Sequence, residues 1–252
     1  MCVDLWLVVL SEHRKAVHKA LVADCDIGDA DMAAELIKKG ADVDFVVSEK
    51  FYCNTPLAAA CWKGHMNVVR LLLDAGADID RVDARGIRPF LLACLCGHID
   101  VIRLLMAAGA DIHRTGALGS SALYWACIWK PDAGIVILLV ESGTDINQTN
   151  DGGWTSLHAA SSKGHIAVIS ILIIEGAGVS LRDNSGETAQ DKAAYYGNID
   201  KYDYALTPRV LAAAKLRFGR SLLEETIIPA MAVVDSCYEE LNTNNINISL
   251  AV

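Results

Sequence analysis

Residues 55–78 read TPLAAACWKGHMNVVRLLLDAGAD, and this stretch decides the fold because its pattern returns along the chain. Its opening tetrapeptide is matched by segments beginning at Arg88, Ser121, Thr155 and Thr188, at offsets of 33, 33, 34 and 33 residues. The first four copies continue into a branched apolar run and a Gly-rich turn. An earlier copy of that second half, Met32–Lys38, lies before the others. Such self-similarity at a fixed period predicts an array of stacked repeats.

The chemistry of one copy predicts two short helices. Thr55 can cap the first helix, Pro56 suits its first turn, and Gly76 follows the second helix, where a left-handed residue ends many helices. Helices this short are unstable alone in water and bury their apolar faces only against neighbouring repeats. The sequence therefore predicts an all-α chain of about six helix-turn-helix units with short β-hairpin-like tips, stacked as a curved solenoid.

The pattern resembles the ankyrin-repeat family, whose repeat runs roughly G-x-T-P-L-H-x-A-A-x-x-G-H, then an apolar helix, then G-A-D-V-N. Gly64-His65, Gly97-His98 and Gly164-His165 match its centre, and the resemblance covers about residues 19–200. It implies an ankyrin-repeat solenoid whose Gly-His histidines, together with His158, make structural hydrogen bonds. It also implies that the chain works by binding proteins rather than by catalysis.

The period predicts the domain boundaries. A capping segment, 1–18, precedes the repeat domain, 19–207, and a helical cap with a flexible tail follows at 208–252. The predicted units are 19–46, 47–82, 83–115, 116–149, 150–182 and a partial 183–207. Two units depart from the pattern. The fourth has Lys130-Pro131 in place of Gly-His, which predicts a differently bent turn, and the second half of the sixth, Asn198–Leu206, lacks the apolar run.

Composition and charge exclude several classes of function. The net charge of −9 and the lack of a basic stripe argue against nucleic acid as a partner. The longest apolar runs end at Glu141 and Glu175, so a membrane span is not expected. The apolar N-terminus lacks a preceding basic residue and a cleavage site, so we expect a cytoplasmic or nuclear protein.

Cysteine and histidine spacing points to packing rather than chemistry. Cys61, Cys94 and Cys127 recur at one-repeat intervals, and Ser161 continues the series. Stacked helices lie about 8–10 Å apart, whereas a disulfide needs Cα atoms within about 7 Å and zinc needs its sulfurs closer still. The series therefore predicts a stripe of small packing residues. No phosphate-binding or nucleophile motif is present. We expect no enzyme activity, no cofactor, no metal and no small-molecule substrate.

The resemblance also implies where a partner binds, namely the concave side formed by the hairpin tips and the exposed edges of the first helices. Of 25 such positions in five units, seven are aromatic, against roughly 1.6 expected from 16 aromatic residues in 252. Aromatic residues are enriched at protein interfaces. The predicted partner-binding residues are Phe51, Tyr52, Trp62, Lys63, Arg85, Ile87, Leu118, Ile128, Trp129, Trp154, Tyr195 and Tyr196.

The function predicted from the sequence is a non-catalytic adaptor, scaffold or inhibitor that binds one or more proteins through this groove. The alternative is a substrate-recognition subunit of an enzyme assembly such as a ubiquitin ligase. Whether residues 208–241 dock on the repeats or recruit another protein distinguishes the two. Asn147 stands at a hairpin position that is hydroxylated in some ankyrin proteins, and is a possible modification site.

Overall fold

A computed structural model describes residues 2–47, 55–83 and 85–206. The predicted C-terminal segment, 208–252, lies outside these residues. The described backbone forms helices at the bounds that follow. They are α1 Cys2–Ile27, α2 Ala30–Lys38, α3 Pro56–Lys63, α4 Met66–Asp74, α5 Pro89–Cys96, α6 Ile99–Ala107, α7 Ala122–Ala126, α8 Ala133–Glu141, α9 Ser156–Lys163, α10 Ile166–Ile174, α11 Ala189–Tyr195 and α12 Ile199–Ala205.

The helices pack as the repeat predicts, in two compact units, residues 1–130 and 131–252. In the first unit, α1, α3, α5 and α7 lie side by side, and α2, α4 and α6 form a second layer. In the second unit, α9 packs on α11, and α8, α10 and α12 form the other layer. The all-α repeat architecture is confirmed. The boundary predicted at residue 18 falls inside α1, which continues without a break into the first repeat.

The helix starts follow the predicted capping chemistry. The side chains of Thr55, Ser121, Thr155 and Thr188 each accept a hydrogen bond from a backbone N–H in the first turn. Behind these caps lies the small-residue stripe. Cys61, Cys94 and Cys127 are fully buried in the first unit, and Ser161 is fully buried in the second. The prediction that this series serves packing is confirmed.

Three repeat tips are closed by one acceptor side chain. Oδ1 of Asp83, Asn150 and Asp183 accepts hydrogen bonds from the backbone N–H groups two and four residues later, at 2.9–3.0 Å. In the fourth repeat the equivalent residue is Gly116, which has no such side chain. There a short 3₁₀ turn, Ala117–Gly119, forms instead, and Leu118 adopts a left-handed conformation with φ of 59°.

Side-chain bonds also join one repeat to the next at the turn between its helices. Nε2 of His65 donates to the Asp26 carbonyl at 3.0 Å, and Nε2 of His98 donates to the Trp62 carbonyl at 3.1 Å. In the second unit, Nδ2 of Asn198 donates to the Ser162 carbonyl at 2.9 Å. The expected structural role of these histidines is confirmed, and Asn198 makes the same kind of bond where histidine is absent.

The sixth repeat keeps its second helix despite its weak apolar pattern. Helix α12 buries Tyr202 and Ala205 almost completely, and Oγ of Ser170 on α10 donates to the Ala205 carbonyl at 3.3 Å. One large aromatic side chain thus does the packing that a run of aliphatic residues does in the other repeats.

The turn of the fourth repeat differs as predicted. Helix α7 ends at Ala126, and α8 begins only at Ala133 with Asp132 as its cap.

Glycine is needed at position 64 for two reasons. One is the left-handed φ of 80°, and the other is the nearby ring of His98, which makes the bond at the turn between the helices. A Cβ there would lie 2.5 Å from Nδ1 of His98, whereas a Cβ on Gly76, with φ of 85°, would meet nothing within 4 Å. We predict that Gly76→Ala costs about 1 kcal/mol for the left-handed backbone. Gly64→Ala also displaces the His98 ring and should cost about 1–3 kcal/mol more. Urea unfolding followed by circular dichroism measures both, and equal losses would contradict this role for the turn bond.

The same bond predicts a pH dependence. Burial lowers the pKa of His98, the bond to the Trp62 carbonyl opposes this, and the charges of Lys130 and His65 lower the pKa further. Because the folded pKa lies below the ordinary 6.5, the neutral ring is favoured by folding. The stabilisation that the neutral His98 ring provides is complete above the ordinary pKa of 6.5 and is lost as pH falls through the folded pKa of His98. Relative to His98→Asn, which can keep an Asn198-like bond without titrating, the natural chain should lose stability between about pH 7 and 5. A constant difference in unfolding free energy over that range would contradict the assignment.

Candidate protein-binding cleft

The first unit contains a cleft of about 890 Å³ bounded by α1, the ends of α3 and α5, and α7. It contains five of the twelve residues that the sequence predicted for partner binding, Trp62, Lys63, Arg85, Ile87 and Trp129. The volume falls within the range of about 300–1,000 Å³ that is usual for ligand clefts. The repeat register therefore brings these five residues to one cleft, and their role in partner binding stays a prediction.

Two tryptophans from repeats two and four meet at this cleft. The rings of Trp62 and Trp129 lie edge to face, with centroids 6.5 Å apart and planes at 89°. Trp62 is half-buried at the end of α3, and Trp129 is 67% exposed in the connection after α7. A five-residue α7 leaves Trp129 outside the helix, and a following Lys130-Pro131 pair disfavours helical backbone there. The irregular fourth repeat thus supplies the exposed ring.

Two apolar residues of the cleft lining, Ile87 and Leu95, are held firmly by the repeat. Ile87 is only 6% exposed and Leu95 only 5%. The N–H of Ile87 donates to the Asp83 carboxylate, which fixes the tip beneath the cleft. Trp125 on α7 also lines the cleft but was not predicted. Its position in the repeat carries buried residues elsewhere, such as Ala59, so register alone assigned it to the core.

Charged side chains stand at the edge of the cleft. Lys63 lies 3.8 Å from the Asp26 carboxylate, and Arg85 makes a hydrogen-bonded pair of 2.7 Å with Asp83. Burial raises the pKa of the Cys96 thiol, and the charges of Lys130, Arg85 and Lys63 partly offset this effect. The three cations therefore all act electrostatically on one thiol at the end of α5. This arrangement suits recognition of an apolar group beside negative charge.

The other predicted residues lie elsewhere. Phe51 and Tyr52 are outside the described residues. Leu118 is 74% exposed on the fourth tip, and Ile128 is half-buried beside Trp129 in the chain. In the second unit, Tyr195 and Tyr196 are 77% and 53% exposed and pack edge to face at 5.0 Å. These two tyrosines form a separate aromatic surface.

Trp154 is engaged in packing within the second unit. Nζ of Lys192 lies 4.9 Å from the centroid of its ring, and the His158 ring lies 6.3 Å away. Lys192 is itself buried and pairs with Asp183 at 2.7 Å and with Glu187. A cation held over an aromatic face stabilises both groups. Sequence reasoning missed this cluster because Lys192 comes 38 residues after Trp154 and stands at a helix position that is apolar in the other repeats.

Asn147 links two tips of the second unit. Its Oδ1 accepts a hydrogen bond of 2.8 Å from the N–H of Gly178, and its own N–H donates to Asp145. Hydroxylation of Asn147 stays a prediction. Within residues 2–47, 55–83 and 85–206, no group of three His, Cys, Asp or Glu residues is placed to hold a metal ion. No helix in the same residues is long and apolar enough to cross a membrane.

These features define a class, a helical-repeat protein with an exposed aromatic cleft, and comparison with known proteins identifies the family. A family model described as "Ankyrin repeats (3 copies)" matches residues 123–209, and another, "Ankyrin repeats (many copies)", matches residues 57–106. Together they cover more than half of the chain. The chain belongs to the ankyrin-repeat family, whose repeats are protein-interaction modules.

Solved structures show the same fold. One similar chain comes from a structure described as "Bd0816 Predatory Endopeptidase from Bdellovibrio bacteriovorus in complex with immunity protein Bd3460". It is 26% identical, has a TM-score of 0.66, and is matched over 74% of this chain and 96% of its own. No curated protein matches the sequence significantly. Because 590 solved chains match, similarity of fold does not select one partner.

The Lys192 cluster gives a prediction about stability. Burial raises the pKa of Asp183, but hydrogen bonds from Lys192 and from the N–H groups of Glu187 and Ser185 outweigh this effect and hold the pKa below 3.8. Burial lowers the pKa of Lys192, but the bonds to Asp183 and Glu187 outweigh it and hold the pKa above 10.5. The pair is therefore fully charged, and stabilises the fold, throughout the neutral range. Its contribution is lost only as pH falls through the lowered pKa of Asp183 or rises through the raised pKa of Lys192.

We predict that Lys192→Ala costs about 3 kcal/mol because it leaves the buried Asp183 carboxylate unpaired. Lys163→Ala, at an exposed lysine of the same unit, should change the unfolding free energy little. Chemical unfolding at several pH values provides the measurement. The loss for Lys192→Ala should stay constant from about pH 5 to 9. A loss no larger than that of Lys163→Ala would show that the cluster does not stabilise the unit.

Proposed function

We propose that the chain is a non-catalytic binding protein that holds a partner protein in the cleft of its first unit. The observation that carries this proposal is the pair of tryptophans, Trp62 and Trp129, that meet at a concave surface although they belong to different repeats. Large aromatic side chains in a partly desolvated setting are common hot spots of protein interfaces. An exposed fraction of 67% for Trp129 leaves much apolar area for a partner to cover.

Among adaptor, scaffold and inhibitor, the similar solved structure favours an inhibitor. That structure pairs an endopeptidase with an immunity protein. A rigid repeat surface acts in this way by covering its partner, and needs no chemistry of its own. The alternative of a ubiquitin-ligase subunit depends on residues 208–241, which lie outside the described residues, so no observation favours it. A cytoplasmic or nuclear location stays a prediction.

The test is affinity capture from an extract of the source organism, followed by mass spectrometry. We predict that Trp62→Ala with Trp129→Ala removes the specific partner, since each hot-spot ring contributes about 2 kcal/mol or more. A second variant, Tyr195→Ala with Tyr196→Ala, carries the same kind of truncation in the other unit and should retain the partner. Partner recovered at its unchanged intact mass is expected of a binding protein without catalytic activity.

Two outcomes would contradict parts of the proposal. Undiminished capture by the folded tryptophan variant would show that this cleft is not the binding site. Loss of capture only with the tyrosine variant would move the site to the second unit. Circular dichroism of each variant must show unchanged helix content, so that a loss of capture reports contact rather than unfolding.

A further inference from the structure

The cleft of the first unit is locally basic although the chain carries a net charge of −9. Among the residues that the structure describes, Lys19, Lys63 and Arg85 line it, against one carboxylate, that of Asp26. Lys130 adds a fourth cation at the end of α5, because a Cβ on Gly97, the residue that caps this helix, would lie 3.5 Å from Cβ of Lys130. Its charge acts on both Cys96 and His98. A surface with the average charge of this acidic chain would be negative, so an excess of positive charge at the cleft is unexpected.

The carboxylates near these cations are unequally available to a partner. The Asp83 side chain is fully buried and is held by the N–H groups of Arg85 and Ile87 as well as by the Arg85 guanidinium. A partner therefore meets the 38% exposed Arg85 and not the Asp83 carboxylate. This pair positions the guanidinium at the cleft edge.

The Asp26 carboxylate forms only a loose pair. Its side chain is 47% exposed, that of Lys63 is 44% exposed, and their charged atoms are 3.8 Å apart. Exposed pairs of this kind stabilise a protein by about 1 kcal/mol or less. Lys63 can therefore exchange Asp26 for a carboxylate supplied by a partner at small cost.

The lining between the cations is apolar and aromatic. Trp62, Trp125 and Trp129 face the cleft together with the buried side chains of Ile87 and Leu95. A volume of about 890 Å³ accommodates more than one side chain of a partner. Apolar contact in the middle and positive charge at the edge require a ligand with the complementary arrangement.

We propose that the cleft recognises an acidic peptide segment of its partner, in which an aromatic or large aliphatic side chain is flanked by aspartate or glutamate. The apolar side chain packs against Trp62 and Trp129, and the carboxylates pair with Lys63, Arg85 and Lys130. This inference rests on the proposed function, because it specifies what the partner presents to the cleft. Charge complementarity of this kind gives specificity against neutral or basic segments.

The test is selection of a random dodecapeptide library displayed on phage against the full-length chain. We expect the enriched peptides to carry acidic residues on both sides of phenylalanine, tryptophan or leucine. A synthetic copy of the leading peptide is then titrated by fluorescence anisotropy. Lys63→Glu with Lys130→Glu should weaken its binding by about tenfold or more, because like charges then face each other. Higher salt should weaken binding to the natural chain.

The fifth repeat offers a matched control. Lys163 stands at the position that corresponds to Lys63, is exposed, and belongs to the second unit. Lys163→Glu makes the charge reversal of Lys63→Glu at a site away from the cleft, and should leave affinity unaltered. Thermal unfolding of the three proteins confirms that all are folded at the temperature of the titration.

The possible failures are distinguishable. Enriched peptides that are neutral or basic, or binding unaffected by Lys63→Glu with Lys130→Glu, would overturn the acidic ligand. If such peptides still lose binding in the Trp62→Ala and Trp129→Ala variant, the cleft remains the binding site and the proposed function stands. Peptides that bind this tryptophan variant as well as the natural chain would contradict both proposals.

Discussion

The bond from one repeat to the carbonyl of the preceding repeat is the constraint on which the rest depends. A single pair of short helices cannot bury its apolar face, so each repeat needs a fixed register on its neighbour. His65 and His98 provide that register in the first unit, and Asn198 provides it in the second. The acceptor for His98 is the carbonyl of Trp62 itself, so the bond that stacks two repeats also fixes the backbone of a cleft residue.

The candidate site lies at the fourth repeat, whose sequence lacks the residues that form this bond. The fourth repeat has Lys130-Pro131 in place of Gly-His, and Gly116 in place of the tip acceptor. Its first helix is short, Trp129 emerges beside Trp62, and the division between the two compact units falls directly after Lys130. Departures from local consistency mark functional sites in many proteins, because the stability that they forgo is supplied by the rest of the fold. A broken repeat between regular ones fits that pattern.

The sequence predicted what depends on the period and missed what depends on distant contacts. Caps, turns, the cysteine stripe and five cleft residues follow from register, since equivalent positions face the same way in every repeat. Trp125 was missed because its register position is usually core, and α12 was underrated because Tyr202 alone replaces an aliphatic run. The packing of Trp154 against Lys192 could not be predicted, since one unusual residue in the next repeat decides it.

Charge sets how such a cleft can select a partner. An acidic chain repels an acidic partner at long range, so the net charge of −9 does not speed their encounter. At physiological salt this repulsion is screened beyond about 8 Å, and only charges close to the contact retain their effect. The charges of Lys63, Arg85 and Lys130 all act on the Cys96 thiol at the end of α5, so a segment bound in the cleft would meet them close to the contact. The affinity for a bound segment then depends mainly on its dissociation rate, which is the quantity that differs most among related complexes. The fold therefore supplies the concave surface common to its family, and these few cations around the tryptophans supply the selection.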